Sequence, residues 1–106
     1  MNQSLKIYWT SVEFTLKQTH TDFKKVKGGF VYAFVKAVDQ SEALIKFKTE
    51  LDNIQLIPTE FEFVNHYKDV EWTNEKQEKH FQMIIEEANR GLDVVLDDFY
   101  MFESTQ

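Results

Sequence analysis

Residues 29–64, GFVYAFVKAVDQSEALIKFKTELDNIQLIPTEFEFV, limit what this chain can fold into more than any other stretch. Phe30, Tyr32 and Phe34 alternate with Val31, Ala33, Val35 and Ala37, so both faces of a strand here are apolar. Such a strand belongs inside a sheet, covered on both sides or flanked by long neighbours. The period changes at Asp39-Gln40-Ser41-Glu42. Asp39 can accept a hydrogen bond from a free N–H of a first helical turn, and Glu42, three residues on, can reach back. Leu44, Phe47, Leu51 and Ile54 follow at spacings of three and four, which sets them on one helical face, with Lys46, Lys48 and Glu50 on the others. The helix is expected to end near Asp52-Asn53, and Pro58 bars its continuation. Phe61 and Phe63 then alternate with Glu60 and Glu62, a strand with one wet face. A helix with that stripe needs a sheet to sit on.

Upstream, Leu5, Ile7 and Trp9 alternate in one parity and Val12, Phe14 and Leu16 in the other. A bulge near Thr10-Ser11 in one long strand is expected from such a switch. Residues 18–27 are polar and lysine-rich, and Gly28-Gly29 can supply the dihedral angles of a turn back into the central strand. Lys24, Lys25 and Lys27 lack phosphate-loop spacing and precede a strand, so they read as a solvated loop. Downstream, residues 65–72 either extend the strand or turn back as a short hairpin. Thr73 or Asn74 caps a second helix, whose buried stripe is Phe81, Ile84, Ile85 and Ala88, and Arg90-Gly91 stops it. Leu92, Val94 and Leu96 begin a last strand that Asp97-Asp98 interrupts and Tyr100, Met101 and Phe102 continue.

The order strand-strand-helix-strand-helix-strand predicts one α+β domain over residues 1–106. It is a two-layer α/β sandwich with a four- or five-stranded mixed or antiparallel sheet and, by right-handed crossovers, two helices on one face. This looks like a variant of the ferredoxin-like class. The usual order of that class fits residues 30–102 only if residues 54–57 and 61–66 are separate strands around Pro58-Thr59, with residues 5–16 added in front. The 106 residues suffice for a core without metal or disulfide support, and ten phenylalanines argue against disorder. With no cysteine, disulfides and thiolate zinc sites are excluded. The first residues lack a signal-peptide layout and no apolar run approaches a membrane span, so a soluble cytoplasmic protein is expected.

The formal charge of −6 is unevenly spread. Residues 1–59 hold eight lysines and six acids, a net +2, whereas residues 60–106 hold twelve acids against three lysines and one arginine, a net −8. An acidic surface repels phosphate and steers cationic partners, so a protein partner is expected and nucleic acid is not. The densest acidic and aromatic set is Glu60, Glu62, Tyr67, Asp69, Glu71, Trp72, Glu75 and Glu78, which has the composition of a partner-binding surface with Tyr67 or Trp72 as anchor. The plain alternative is that Trp72 packs beneath the second helix while the acids face water.

No motif specifies a reaction. His20, His66 and His80 fall in a loop, a strand and a helix without the spacing of metal ligands, and no catalytic site, cofactor or metal is expected. There is no nucleophile elbow or glycine-rich nucleotide loop, and a single arginine leaves little for clamping phosphates. Asp97 and Asp98 adjoin on a strand, so they point apart and do not form an acid–base pair without a bulge. A small, acidic, cysteine-free α/β chain without catalytic motifs is similar to bacterial immunity proteins, inhibitors that protect a cell from a toxin such as a nuclease. The resemblance implies an inhibitor whose acidic patch covers a basic toxin's substrate site. Two alternatives stand beside it: a small-ligand or enzymatic ferredoxin-like domain using a helix–sheet cleft with Asp97, Asp98 or His66, and a homodimer joined at a strand edge or open sheet face.

Overall fold

The computed structural model describes residues 4–67 and 74–103. Along them run strands β1 (Lys6–Leu16) and β2 (Val26–Ala37), helix α1 (Gln40–Asn53), strand β3 (Leu56–His66), helix α2 (Glu75–Asn89), and short strands β4 (Val95–Leu96) and β5 (Tyr100–Glu103). The sheet is antiparallel throughout, in the order β3-β1-β2-β4, with β5 also pairing β2. The α+β class is as the sequence predicts. β2 is interior, as its two apolar faces require, and Val31, Phe34, Val35 and Ala37 are fully buried. Asp97 to Phe99 divide the last strand in two.

The helices cover opposite faces. On one, Ala43 and Phe47 of α1 pack on Tyr8, Ala33, Val35 and Ala37, and Leu51 packs on Val12, Phe14, Val31 and Leu56. On the other, Phe81, Ile84 and Ala88 of α2 pack on Ile7 and Phe34, with Trp9, Tyr32 and Tyr67 beside them. Two helices on one face were expected from crossover handedness, but that rule binds only a connection between parallel strands. It governs β2-α1-β3, because β2 and β3 are both antiparallel to β1. β3 and β4 run in opposite directions, so handedness places no demand on α2. The apolar even-numbered side chains of β2 decide instead, since they too must leave water.

Three further expectations are corrected. β3 runs unbroken through Pro58-Thr59, so the ferredoxin-like strand order does not form; an edge strand tolerates proline because one side of its ladder is unpaired. No bulge interrupts β1 against β2, where the register holds from Lys6↔Ala37 to Phe14↔Gly29. The irregularities lie in the pairing with β3, between Ser11 and Val12 and between Glu13 and Phe14, where Glu62 and Thr59 are the extra residues. Gly28 and Gly29 lie inside β2 and do not make the turn, which occupies residues 17–25. A side chain on Gly28 would run into the backbone oxygen of Phe14, and one on Gly29 into that of Tyr100. Neighbouring strands need the room.

Capping at both helix N-termini follows the sequence, whereas α2 stops with Arg90 as its cap in a right-handed conformation. Asp39 Oδ1 accepts the Glu42 N–H at 2.8 Å, and Glu42 reaches back to the Val38 N–H at 3.4 Å. Asn74 Oδ1 accepts the N–H groups of Lys76 and Gln77. At the far end of α2, whose last turn holds no cation of its own, Lys36 Nζ of β2 donates to the Asn89 carbonyl at 2.8 Å. α1 ends with Gln55 at a φ of 68°, a left-handed position after the cap. No helix among the described residues is long and apolar enough to cross a membrane.

Thr10 is fully buried and its hydroxyl donates to the Phe63 carbonyl beside the first irregularity of β3. Thr10→Val keeps the shape and removes the donor, leaving a polar group without its partner. Urea denaturation is expected to show a loss of about 1–3 kcal/mol, with an unchanged denaturant slope.

Candidate functional site

On the α2 face of the sheet, β1 presents Ile7, Trp9, Ser11, Glu13 and Thr15 in turn. The first two lie under α2. The last three are polar and lie outside the cluster under α2; Ser11 is still buried, so among the described residues this half of the face opens only from Glu13, half-buried, to Thr15, exposed. Pairing sets four side chains in one row across it: Glu60 of β3 opposite Glu13 of β1, Glu13 opposite Phe30 of β2, and Phe30 opposite Tyr100 of β5. The next row holds Ile57 opposite Thr15, and Phe102 opposite Gly28.

The row is aromatic at one end and acidic at the other. Phe30 and Tyr100 stack with centroids 4.7 Å apart and planes 9° from parallel, and Phe102 lies 6.3 Å from Phe30. Tyr100 and Phe102 are 50% and 51% exposed, high for side chains of this size on a sheet face. Beside Phe102 a cleft of about 410 Å³ is walled by Glu13, Thr15, Lys27 and Thr59, with Gly28 and Gly29 adding no side chain to fill it. Glu13 is half-buried and Glu60 exposed. Neither carboxylate meets a cation of the described residues within ion-pair distance. Like charges directly opposite on adjacent strands destabilise a sheet.

The border of the open half beneath α2 is held by a clasp. His80 Nε2 of α2 lies 2.8 Å from Asp97 Oδ1, which also accepts the Asp98 N–H at 2.8 Å, while the Asp97 N–H donates to the Tyr32 carbonyl at 2.9 Å. The Asp97 side chain is only 6% exposed, whereas Asp98 faces out. Next to this clasp a second cleft of about 390 Å³ is lined by Tyr32, Asn74, Gln77, His80, Asp97 and Tyr100. Tyr100 thus belongs to both this cleft and the aromatic row.

Of the residues singled out in the sequence, Glu60 lies in the row. Glu62 is the extra residue of a β3 irregularity and is exposed. Tyr67 is half-buried, its ring 5.4 Å from Trp9 and 5.9 Å from Phe34, so it packs with the aromatic core under α2. Glu75 and Glu78 occupy the first turn of α2, where the helix dipole favours acids. Asp69, Glu71 and Trp72 lie outside the described residues. His66 sits 5.8 Å from Tyr8, and His20 Nδ1 accepts the Asp22 N–H at 2.9 Å. No group of three His, Cys, Asp or Glu side chains able to hold a metal ion occurs among the described residues.

Sequence reading missed Glu13, Phe30, Tyr100 and Phe102 as a surface. The signal was the polar run Ser11, Glu13, Thr15 on one parity of an otherwise apolar strand, together with Phe99 to Phe102, apolar at every position. No family model, no curated protein and no solved structure matches this chain.

If the Glu13–Glu60 juxtaposition costs stability in the free protein, neutralising one side relieves it. Glu13→Gln is expected to raise unfolding stability by roughly 0.2–1 kcal/mol, more at low salt than at high salt. A loss of stability at both would mean that Glu13 is held by an attraction.

Proposed function

We propose that the protein is a cytoplasmic protein-binding inhibitor of the immunity type, which neutralises a basic, nuclease-type toxin by laying an acidic surface over its substrate site. The observation that carries this reading is the row Glu60–Glu13–Phe30–Tyr100, two carboxylates without cationic partners among the described residues beside a half-buried and an exposed aromatic that stack on one rigid sheet face. Aromatic side chains bury much apolar area at small entropic cost, and unpaired carboxylates attract and orient a cationic partner. The net charge of −6 strengthens that steering and opposes self-association. Edge pairing through β3 is discouraged by Pro58, by the two irregularities and by Glu60 and Glu62.

The cleft beside His80 and Asp97 favours a second reading, a small-ligand site. A nearly covered carboxylate bonded to an imidazole at a cleft wall is a common way to orient a polar ligand. If that reading holds, a small molecule will stabilise the wild-type protein in thermal unfolding and lose its effect in Asp97→Asn.

The inhibitor reading is tested by affinity capture from the native host's lysate at low and high salt, followed by assay of the captured protein. One basic partner is expected, released as salt rises, with its nuclease activity stopped at a one-to-one ratio. Glu60→Lys is expected to slow association about tenfold at low salt and to change dissociation much less. A captured partner whose activity is untouched, or an on-rate indifferent to both salt and Glu60→Lys, overturns the proposal.

A further inference from the structure

Resting on the inhibitor reading, we infer that the cleft beside Phe102 is an anchor pocket for one arginine side chain of the partner protein. Three features define the chemistry of its occupant. The first is charge. Among the described residues Glu13 and Lys27 are the charged groups lining it, and Glu60 stands just outside the lining, opposite Glu13 in the same row. The lining alone is neutral, and it is the bordering Glu60 that brings the local balance to one negative charge, which repels a phosphate or carboxylate and draws a cation. An arriving cation also relieves the repulsion between the two glutamates, so binding recovers what folding gave up.

The second is planarity. Phe30 and Tyr100 are nearly parallel, and Phe102 continues the aromatic surface into the cleft. A guanidinium stacks on such faces and bonds carboxylates through a planar fork of N–H groups, which an ammonium does not match. The third is the floor. Gly28 and Gly29 contribute backbone alone, and the cleft of about 410 Å³ is roomy for one long side chain. A second copy of this chain fits poorly: stacking the face on itself would bring one Glu13–Glu60 pair near another, between molecules that each carry −6.

The test is a titration of the ¹⁵N-labelled protein with the end-blocked tripeptide Gly-Arg-Gly, followed by two-dimensional NMR, with Gly-citrulline-Gly as the uncharged isostere. The expected result is saturable movement of the Glu13, Thr15, Gly28 and Phe102 amide signals with the arginine peptide and none with citrulline. In the folded double variant Glu13→Gln/Glu60→Gln the movement should be lost, and in Lys27→Gln saturation should come at lower peptide concentration. Equal response to citrulline, response elsewhere on the protein, or unchanged binding in both variants overturns the pocket. So does movement of the same signals on concentrating the protein without peptide, which would make a second copy the occupant. Because the titration needs no natural partner, a captured toxin with a silent titration overturns the arginine pocket alone. A positive titration with a partner whose activity is untouched overturns the inhibitor reading alone.

Discussion

The structure depends on a strand that must leave water on both sides. β2 carries apolar side chains on each parity, and a sheet with that strand at its centre needs cover above and below. α1 supplies one cover and α2 the other. Length then limits what each can reach. Twelve residues of β2 extend about 40 Å at ~3.3 Å each, whereas fifteen residues of α2 span about 22 Å at ~1.5 Å each. On the α1 face the shortfall is filled by side chains from elsewhere: Leu16, Ile54 and Leu56 join the cluster around Val12 and Phe14, and Phe99 meets Phe14 edge-on at 5.9 Å. On the α2 face β1 carries Ser11, Glu13 and Thr15, of which Ser11 is buried, Glu13 half-buried and Thr15 exposed, so cover among the described residues thins beyond Ser11.

Much of this was legible. The interior place of β2, the cap at Asp39, the cap at Asn74 and the buried stripe through Phe47 and Leu51 each rest on local chemistry, and each stands in the structure. The side of the sheet taken by α2 was not read correctly, although the residues held the information. Two apolar parities in β2 already called for two covers, and the handedness rule was carried past the parallel connection to which it applies. The change of parity in β1 was read as a bulge for a related reason. Around Ile7, Tyr8 and Trp9 both faces are covered, so every residue is apolar; beyond Ser11 only the α1 face is covered, and the alternation becomes strict. A strand half covered on one side mimics a bulged strand in sequence. The distinction is tertiary.

The site was less legible than the fold, for a physical reason as well. Its members come from four strands, and of the described residues in the stretch 60–78 only Glu60 lies in the row. Runs of acids and aromatics along a chain are easy to see, but a sheet face is assembled from every second residue of each strand. Phe30 reads as core because its strand is core, and Tyr100 and Phe102 read as the end of a strand. That Phe30 and Tyr100 stack beside two glutamates depends on register, which Gly28 and Gly29 permit by letting neighbouring backbones approach β2 closely.

The placement of Glu13 is the residue choice that stability explains least. A threonine or valine there would suit a strand better and would remove a like-charge neighbour. Glu62, by contrast, sits at an irregularity and helps to blunt an edge, and Glu75 and Glu78 favour a helix start, so each has a structural role that needs no partner. Local conflict retained on a rigid, well-supported surface is where departures from folding logic concentrate when a surface serves binding. The aromatic row beside it follows the same pattern, since Tyr100 and Phe102 expose about half their surface where smaller polar residues would keep the strand paired. Among the described residues the carboxylates have no counter-ion and the aromatics lack full cover, complementary deficits that the proposed partner, with a flat cationic side chain, would satisfy at once.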